Sequence, residues 1–306
     1  MLKERMGWID SLRGFGIILV VLGHVDFPYK QYIYWFHMPL FFILSGITIS
    51  LSREREVFYT KKVRSLIFPF VVMGTILIVI FSYFQQINFL KEITKFLLFG
   101  GVRSSGYVGA FWFLPSLFVT QAIFYEGYNL KKMSYKGILA LLVISCGLLG
   151  NSNLPMNLSL FPIFMIYLIF GKFILPKIIK EHFSYKTIYI FAFSGILLGK
   201  YSDFQLDLKY GLISNYFLAI FIPITLTSLF VVLFYRSRLN FSKKILSYIG
   251  VRSLKVMLTH NFFIYNLSKC YDLVWWQNFI LSVILTILSI FIYEKAIENT
   301  GKNITE

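Results

Sequence analysis

Three of the four histidines, an aspartate and a few arginines and lysines fall in or at the ends of apolar runs, and these are the residues able to do chemistry. The opening run Arg5-Met-Gly-Trp-Ile-Asp-Ser-Leu-Arg13-Gly14 leads into an apolar stretch that carries His24. It puts a carboxylate (Asp10), a guanidinium (Arg13) and an imidazole (His24) on one membrane-length segment. The next apolar run, Tyr32–Leu51, holds a second imidazole in Phe36-His37-Met38-Pro39, and a third lies in Leu258-Thr259-His260-Asn261. An ionisable group inside a bilayer is costly unless it is paired or faces a cavity, so by default it points to function. Histidine is the usual proton acceptor near neutral pH. Arg and Lys at a helix start are the usual anion binders.

Depth along the predicted spans sorts these groups. His24 lies near the far end of the first span, His37 a few residues into the second, and His260 past the middle of a late one. Arg13, Lys62 and Arg64 fall at the opposite ends. The pattern predicts a base towards one face of the membrane and an anion site at the other. Plainer roles stand beside these. Lys61, Lys62 and Arg64 would serve as topology determinants, His37 and His260 as interhelical hydrogen-bond partners, and Trp112 as an interfacial anchor. Ser45 precedes a glycine in an apolar run with no G-x-S-x-G around it, so a serine triad is not supported. No carboxylate shell accompanies His24, His37 and His260, and no metal is expected.

The elements that must position these groups are membrane helices. The composition is 57% hydrophobic and 19% aromatic, and the mean hydropathy is +0.70. These values describe an all-α, polytopic integral membrane protein forming a single domain over residues 1–306, with no appended soluble domain. The formal charge of +16 is spread in short clusters between apolar runs. That is a topology signal rather than a nucleic-acid-binding surface. A span needs roughly 20 apolar residues, and about ten segments meet or approach that length. They are Trp8–Val25, Tyr32–Leu51, Val63–Phe84, Tyr107–Tyr125, Gly137–Gly150, Leu158–Phe173, Thr187–Gly199, Gly211–Tyr235, Ile245–Ser268 and Leu273–Tyr293. Continuous rather than alternating apolar runs argue against strands.

Lysine and arginine set the orientation. With both termini cytoplasmic, the inner segments gather Arg53, Arg55, Lys61, Lys62 and Arg64, then Lys131, Lys132 and Lys136, then Arg236, Lys243, Lys244, Arg252 and Lys255. The outer side keeps few, among them Lys30, Lys91, Lys95, Arg103 and Lys209. This is the positive-inside pattern. The long outer connection Gln85–Gly106 repeats Phe89, Leu90, Ile93, Phe96 and Leu97 at helical spacing and predicts an interfacial amphipathic helix that Gly100-Gly101 ends. The N-terminal basic residues and apolar run lack a small-x-small cleavage site, so the first span is read as uncleaved. Cys146 and Cys270 have no CxxC or metal spacing, so cysteine chemistry is not central.

Taken together, these residues resemble the membrane-bound acyltransferase family 3, the O-acetyltransferases of cell-surface glycans. They are most similar to the stand-alone sugar O-acetyltransferases of the fucose-acetylase and enterobacterial-common-antigen type. The matching pieces are Trp8-Ile9-Asp10-Ser11-Leu12-Arg13-Gly14 leading to Gly23-His24, and Phe36-His37-Met38-Pro39-Leu40-Phe41-Phe42-Ile43-Leu44-Ser45-Gly46. Lys61-Lys62-Val63-Arg64-Ser65-Leu66-Ile67-Phe68-Pro69-Phe70, Phe111-Trp112-Phe113-Leu114 and Ser253 to His260 follow in order. The resemblance implies a ten-helix bundle of the cell membrane that moves acetyl from cytoplasmic acetyl-CoA to a sugar hydroxyl. His24 would be the catalytic histidine, and Lys62 with Arg64 would correspond to an Arg-x-Arg donor-binding motif, its first Arg replaced by Lys. The Glu-x-Pro of the last span appears as Glu294-Lys295-Ala296.

The expected machinery is therefore His24, tuned by Asp10 and His37, with Arg13, Lys62 and Arg64 on the CoA phosphates. Trp112, Ser45 and His260 are expected at the acceptor, a surface polysaccharide or a lipid-linked sugar. His24 would act as general base or as a transient acyl carrier. The rival is a transporter of a glycan or lipid-linked sugar that performs no chemistry. Such a protein is expected to show inverted repeats, and none is visible in the sequence.

Overall fold

A computed structural model describes residues 7–129, 137, 145, 155–180, 184–236 and 240–303. The predicted span Gly137–Gly150, Cys146, Lys131, Lys132 and Lys136 lie outside these residues, Gly137 and Ser145 excepted. The protein is an all-α membrane protein. Among the described residues six helical stretches are long and apolar enough to cross a bilayer: Gly7–His24, Arg55–Gln85, Gly106–Asn129, Met156–Lys180, Tyr216–Arg236 and Trp275–Asn299.

Helix α1 (Gly7–His24) lies at the centre of the site-bearing elements. The predicted second span is broken into α2 (Lys30–Tyr34) and α3 (His37–Thr48), with Phe36 in a non-helical turn at φ −144°, ψ −18° between them. Pro39 then falls in the first turn of α3, where its missing N–H is harmless. His37 sits at the break and donates from Nδ1 to the Ile33 carbonyl at 2.8 Å, which also accepts from the Phe36 backbone N–H at 3.2 Å.

The third stretch runs from α4 (Arg55–Lys62) through a π-helical turn, Val63–Ile67, into α5 (Phe68–Gln85). Helix α6 (Phe89–Leu98) is the predicted amphipathic helix. Its first turn is capped by Asn88, which accepts from Lys91 N at 3.1 Å. Phe96 stacks on Phe70 at 4.3 Å under Gly74, and Gly100 and Gly101, at φ +58° and +81°, end the segment. Residues 105–112 then enter the protein as irregular backbone with one 3-10 turn, before α7 (Phe113–Asn129) begins. The predicted span Tyr107–Tyr125 therefore starts its α-helix later than its apolar run. Non-helical backbone at this depth is tolerated where it lines a cavity.

Helix α8 (Phe161–Ile169) passes through a second π turn, Phe170–Ile174, into α9 (Leu175–Lys180). Helix α10 (Tyr185–Tyr201) leads to a two-stranded antiparallel hairpin, β1 (Leu206–Asp207) and β2 (Leu212–Ile213), paired Leu206 to Ile213 and Asp207 to Leu212. Strands were not expected, and this one pair is a turn-closing hairpin, not a spanning sheet. Helix α11 (Tyr216–Arg236) follows.

The predicted span Ile245–Ser268 is two helices, α12 (Asn240–Val251) and α13 (Ser253–Cys270), separated at Arg252. Apolarity alone does not distinguish a continuous span from two helices joined at one residue. Helix α12 packs on the first half of α1 at backbone distance. A Cβ on Gly14 would come within 1.9 Å of the Leu246 carbonyl oxygen, and one on Gly250 within 1.7 Å of the Asp10 carbonyl oxygen. Helix α14 (Trp275–Asn303) is tied to the start of α13 by Glu294, which accepts from Arg252 at 2.7 and 2.9 Å and from Lys255 at 2.5 Å.

The core is built around Leu12, Ile17, Leu40, Phe42, Ile43, Leu114 and Phe164, all fully buried, with Phe42 and Phe164 stacked at 4.4 Å. Large apolar side chains on the outward faces of α5, α10 and α14, such as Ile76, Phe193 and Ile292, are exposed. These faces suit lipid rather than water.

Candidate active site

Two groups of polar residues occupy the two ends of α1, and the helix itself separates them. At its C-terminal end lies a cavity of about 360 Å³, at the lower end of the usual range for small-molecule sites. It is lined by His24 from α1, Tyr34 and His37 from the α2–α3 break, Trp112 from the irregular entry to α7, Asp207 and Lys209 from the hairpin, and Asn261 from α13.

The three histidines share one device. His24, His37 and His260 each place Nδ1 on the carbonyl one helical turn earlier, at Val20 (2.8 Å), Ile33 (2.8 Å) and Val256 (2.9 Å). A carbonyl oxygen only accepts, so Nδ1 carries the proton in the neutral ring and Nε2 presents its lone pair. The His24 and His260 rings meet edge to face at 5.0 Å between centroids, and Tyr34 packs on His37 at 5.2 Å. His260 is fully buried behind His24, and its Nε2 has no hydrogen-bond partner among the described residues. Tyr34 donates to the Gly23 carbonyl at 2.8 Å, fixing the turn of α1 that holds His24.

The hairpin supplies the cavity's charges. Asp207 Oδ1 accepts from the backbone N–H of Lys209 at 2.9 Å and of Tyr210 at 3.3 Å, which folds the turn over the cavity. Lys209 Nζ donates to the Ser104 carbonyl at 2.8 Å and stands within electrostatic reach of His24. Burial holds the Lys209 ammonium down to about 8, with the Asp207 carboxylate pulling the other way. Burial raises the Asp207 carboxyl against the backbone donors and Lys209.

At the other end of α1, Arg13 approaches Asp10 Oδ1 at 3.4 Å and donates to Thr48 Oγ1 at 3.2 Å. Asp10 thus lies about 21 Å of helix from His24. The structure sets it beside Arg13 rather than beside the imidazole it was expected to tune. Lys62 interacts electrostatically with Arg13, Arg53 and Lys61, giving a cationic cluster. Arg64 lies on the π turn with its side chain on an exposed face, two residues from the half-buried Lys62. Ser45, in the second half of α3, is partly buried and is not among the cavity-lining residues.

The structure therefore gathers His24, His37, His260 and Trp112 at one end and Asp10, Arg13 and Lys62 at the other. Sequence reasoning passed over Asn261, Tyr34 and Asp207, and treated Arg53 and Lys209 only as topology charges. Lys209 carried a usable signal. It is a lysine on the side the charge rule keeps poor in lysine, placed between Asp207 and Gly211 in a turn.

An all-α membrane bundle with a histidine-lined chamber at one end and a cationic cluster at the other has the arrangement of a multi-pass membrane enzyme. The family model of the acyltransferase domain matches residues 6–294, and the chain belongs to this family, acyltransferase family 3. No curated protein and no solved structure matches the chain.

Proposed function

We propose that this membrane acyltransferase is an O-acetyltransferase that carries acetyl from cytoplasmic acetyl-CoA to a sugar hydroxyl of a surface glycan or its lipid-linked precursor. The observation that carries this reading is His24, an imidazole bordering the cavity with Nδ1 held by Val20 and Nε2 left to receive a proton. An alcohol is a poor nucleophile towards a thioester. A positioned base that takes its proton is typically worth ~10²–10⁴-fold. His24 is that base, or it accepts the acetyl group transiently before the sugar does. His37 and His260 hold its surroundings, and Trp112 offers an apolar face to the acceptor.

The cationic cluster of Arg13, Arg53 and Lys62 suits the CoA phosphates, with Arg64 on its exposed rim. Asp10 and Thr48 orient the Arg13 guanidinium. The donor's phosphates would rest at the start of α1 while its pantetheine arm brings the thioester along the bundle towards His24. The positive-inside pattern of the sequence supports a cytoplasmic basic end.

Purified protein supplied with radiolabelled acetyl-CoA and a total glycan extract tests this reading. Label is expected in glycan. Glycan movement across a membrane without label would establish the transporter instead.

A further inference from the structure

The mechanism above leaves two polar groups of the cavity without a task. Asn261 is only 6% exposed, and its amide has no hydrogen-bond partner among the described residues, yet it borders the cavity. Lys209 also borders it, and its ammonium has three N–H donors, while among the described residues its one hydrogen-bond acceptor is the Ser104 carbonyl, with the Tyr210 ring 5.0 Å away and the Asp207 carboxylate in its field. The two groups converge. A Cβ built on Gly109 would lie 3.2 Å from Asn261 Nδ2, 3.3 Å from the Gly106 carbonyl oxygen and 3.7 Å from Lys209 Nζ. Gly109 has φ −59°, a conformation open to any residue. What its missing side chain leaves is room for a ligand atom to approach the two donors, with the Gly106 carbonyl on the glycine's own side.

Resting on the acyl-transfer reading, we propose that Lys209 and Asn261 hold the negative charge that develops on the thioester carbonyl oxygen during transfer. In that step the acceptor hydroxyl oxygen bonds to the carbonyl carbon while its proton passes to His24 Nε2. The carbonyl π electrons move onto oxygen, which becomes the oxyanion between the two donors. The carbonyl then re-forms, the carbon–sulfur bond breaks, and the CoA thiolate leaves with the proton from His24. A neutral sugar hydroxyl would repay little of the cost of a partly buried ammonium. An oxyanion repays more, because fixed donors in a water-poor site act most strongly on charge that appears only in the transition state. Lys209 and His24 line the same cavity, so this charge shares the chamber of the proposed base.

The test is steady-state kinetics of the full-length protein with acetyl-CoA and its glycan acceptor, comparing wild type with Lys209→Met, Lys209→Arg and Gly109→Ala. Loss of one such donor costs ~10²–10³ in kcat. Lys209→Met should fall in that range with donor KM unchanged, and Lys209→Arg should recover part of the loss. Gly109→Ala keeps the Lys209–Ser104 bond and an ordinary backbone but fills the space between the donors. It should lower kcat by at least about tenfold, and it decides the matter if Lys209→Met fails to fold. The pH profile adds a second reading. The ammonium is present below about 8, so the wild-type rate should fall as pH rises through that value, whereas Lys209→Arg, whose guanidinium keeps its proton, should not follow. Rates of both Lys209→Met and Gly109→Ala within about twofold of wild type, against the cost expected for a lost donor, would overturn the inference. So would an effect confined to acceptor KM, which would make Lys209 a substrate-binding group. Absence of transfer by wild type would instead refute the acyl-transfer reading itself and take this inference with it.

Discussion

A rise of about 1.5 Å per residue puts roughly 21 Å of helix between Asp10 and His24, and in the proposed reaction that distance separates the kinetic constants the two would control. Asp10 acts on Arg13, and Arg13 faces the donor's phosphates in this account. Asp10→Asn should therefore raise the acetyl-CoA KM severalfold and leave kcat at saturating donor near the wild-type value. A fall in kcat with an unchanged KM would return Asp10 to the catalytic histidine. The same reasoning ranks the basic residues. Lys62 is half-buried and shares its field with Arg13 and Arg53, whereas Arg64 is exposed. Charge-assisted bonds to phosphate weaken when water competes for the donor. Lys62→Ala and Arg53→Ala should each raise donor KM more than Arg64→Ala does, as measured by initial rates over a range of acetyl-CoA. Equal, negligible effects of all three would leave these residues as topology charges only.

At the level of elements, the two π turns share a position. Val63–Ile67 ends two residues before Pro69, and Phe170–Ile174 ends two residues before Pro176. A proline ring clashes with the carbonyl four residues back, which is Ser65 in one case and Lys172 in the other. Both carbonyls lie in the widened turn. These wide turns carry Arg64 and Lys172 close to the basic end, and Lys172 donates to the Ile49 carbonyl at 2.8 Å. The glycines of α1 and α12 set another constraint, since their backbones meet where a Cβ has no room. Gly250→Ala would press a methyl group onto the Asp10 carbonyl and should cost about 1–3 kcal/mol, the usual range for overpacking. It should lower the thermal midpoint of the detergent-solubilised protein and raise donor KM as Asp10 shifts. An unchanged midpoint would contradict the close packing.

Much of this was legible in the sequence, because length and apolarity reveal a membrane helix and the helical spacing of Phe89, Ile93 and Phe96 reveals α6. The breaks were harder to see. Phe36 and Arg252 interrupt runs whose hydropathy is continuous, and what breaks them is tertiary: the Trp35 indole donates to the Phe204 carbonyl at 2.9 Å, and Glu294 clamps Arg252. The His24 end was legible through its histidines. Lys209 showed in the sequence only as a lysine on the lysine-poor side and Asn261 not at all, because it takes a hairpin and a glycine to bring them together from distant parts of the chain.

On the scale of the whole molecule, the account requires one polypeptide to take donor from the cytoplasm and serve an acceptor on the far side. With Cys146 and Cys270 removed, a single Cys at Lys30 should react with an impermeant thiol reagent added to intact cells, and one at Glu56 should not. Glu56 is exposed in α4 among the basic residues, and Lys30 follows His24 by a short connection. The opposite labelling would exchange the donor and acceptor sides. The most direct test of the central claim uses sealed vesicles with radiolabelled acetyl-CoA on the side of the basic end and glycan acceptor on the other. Wild-type protein should label the glycan. His24→Ala, inserted at the same level, should lose at least ~10²-fold of that rate. Transfer by His24→Ala at more than about a tenth of the wild-type rate would contradict the role of His24 as base or acyl carrier, given the gain expected of either.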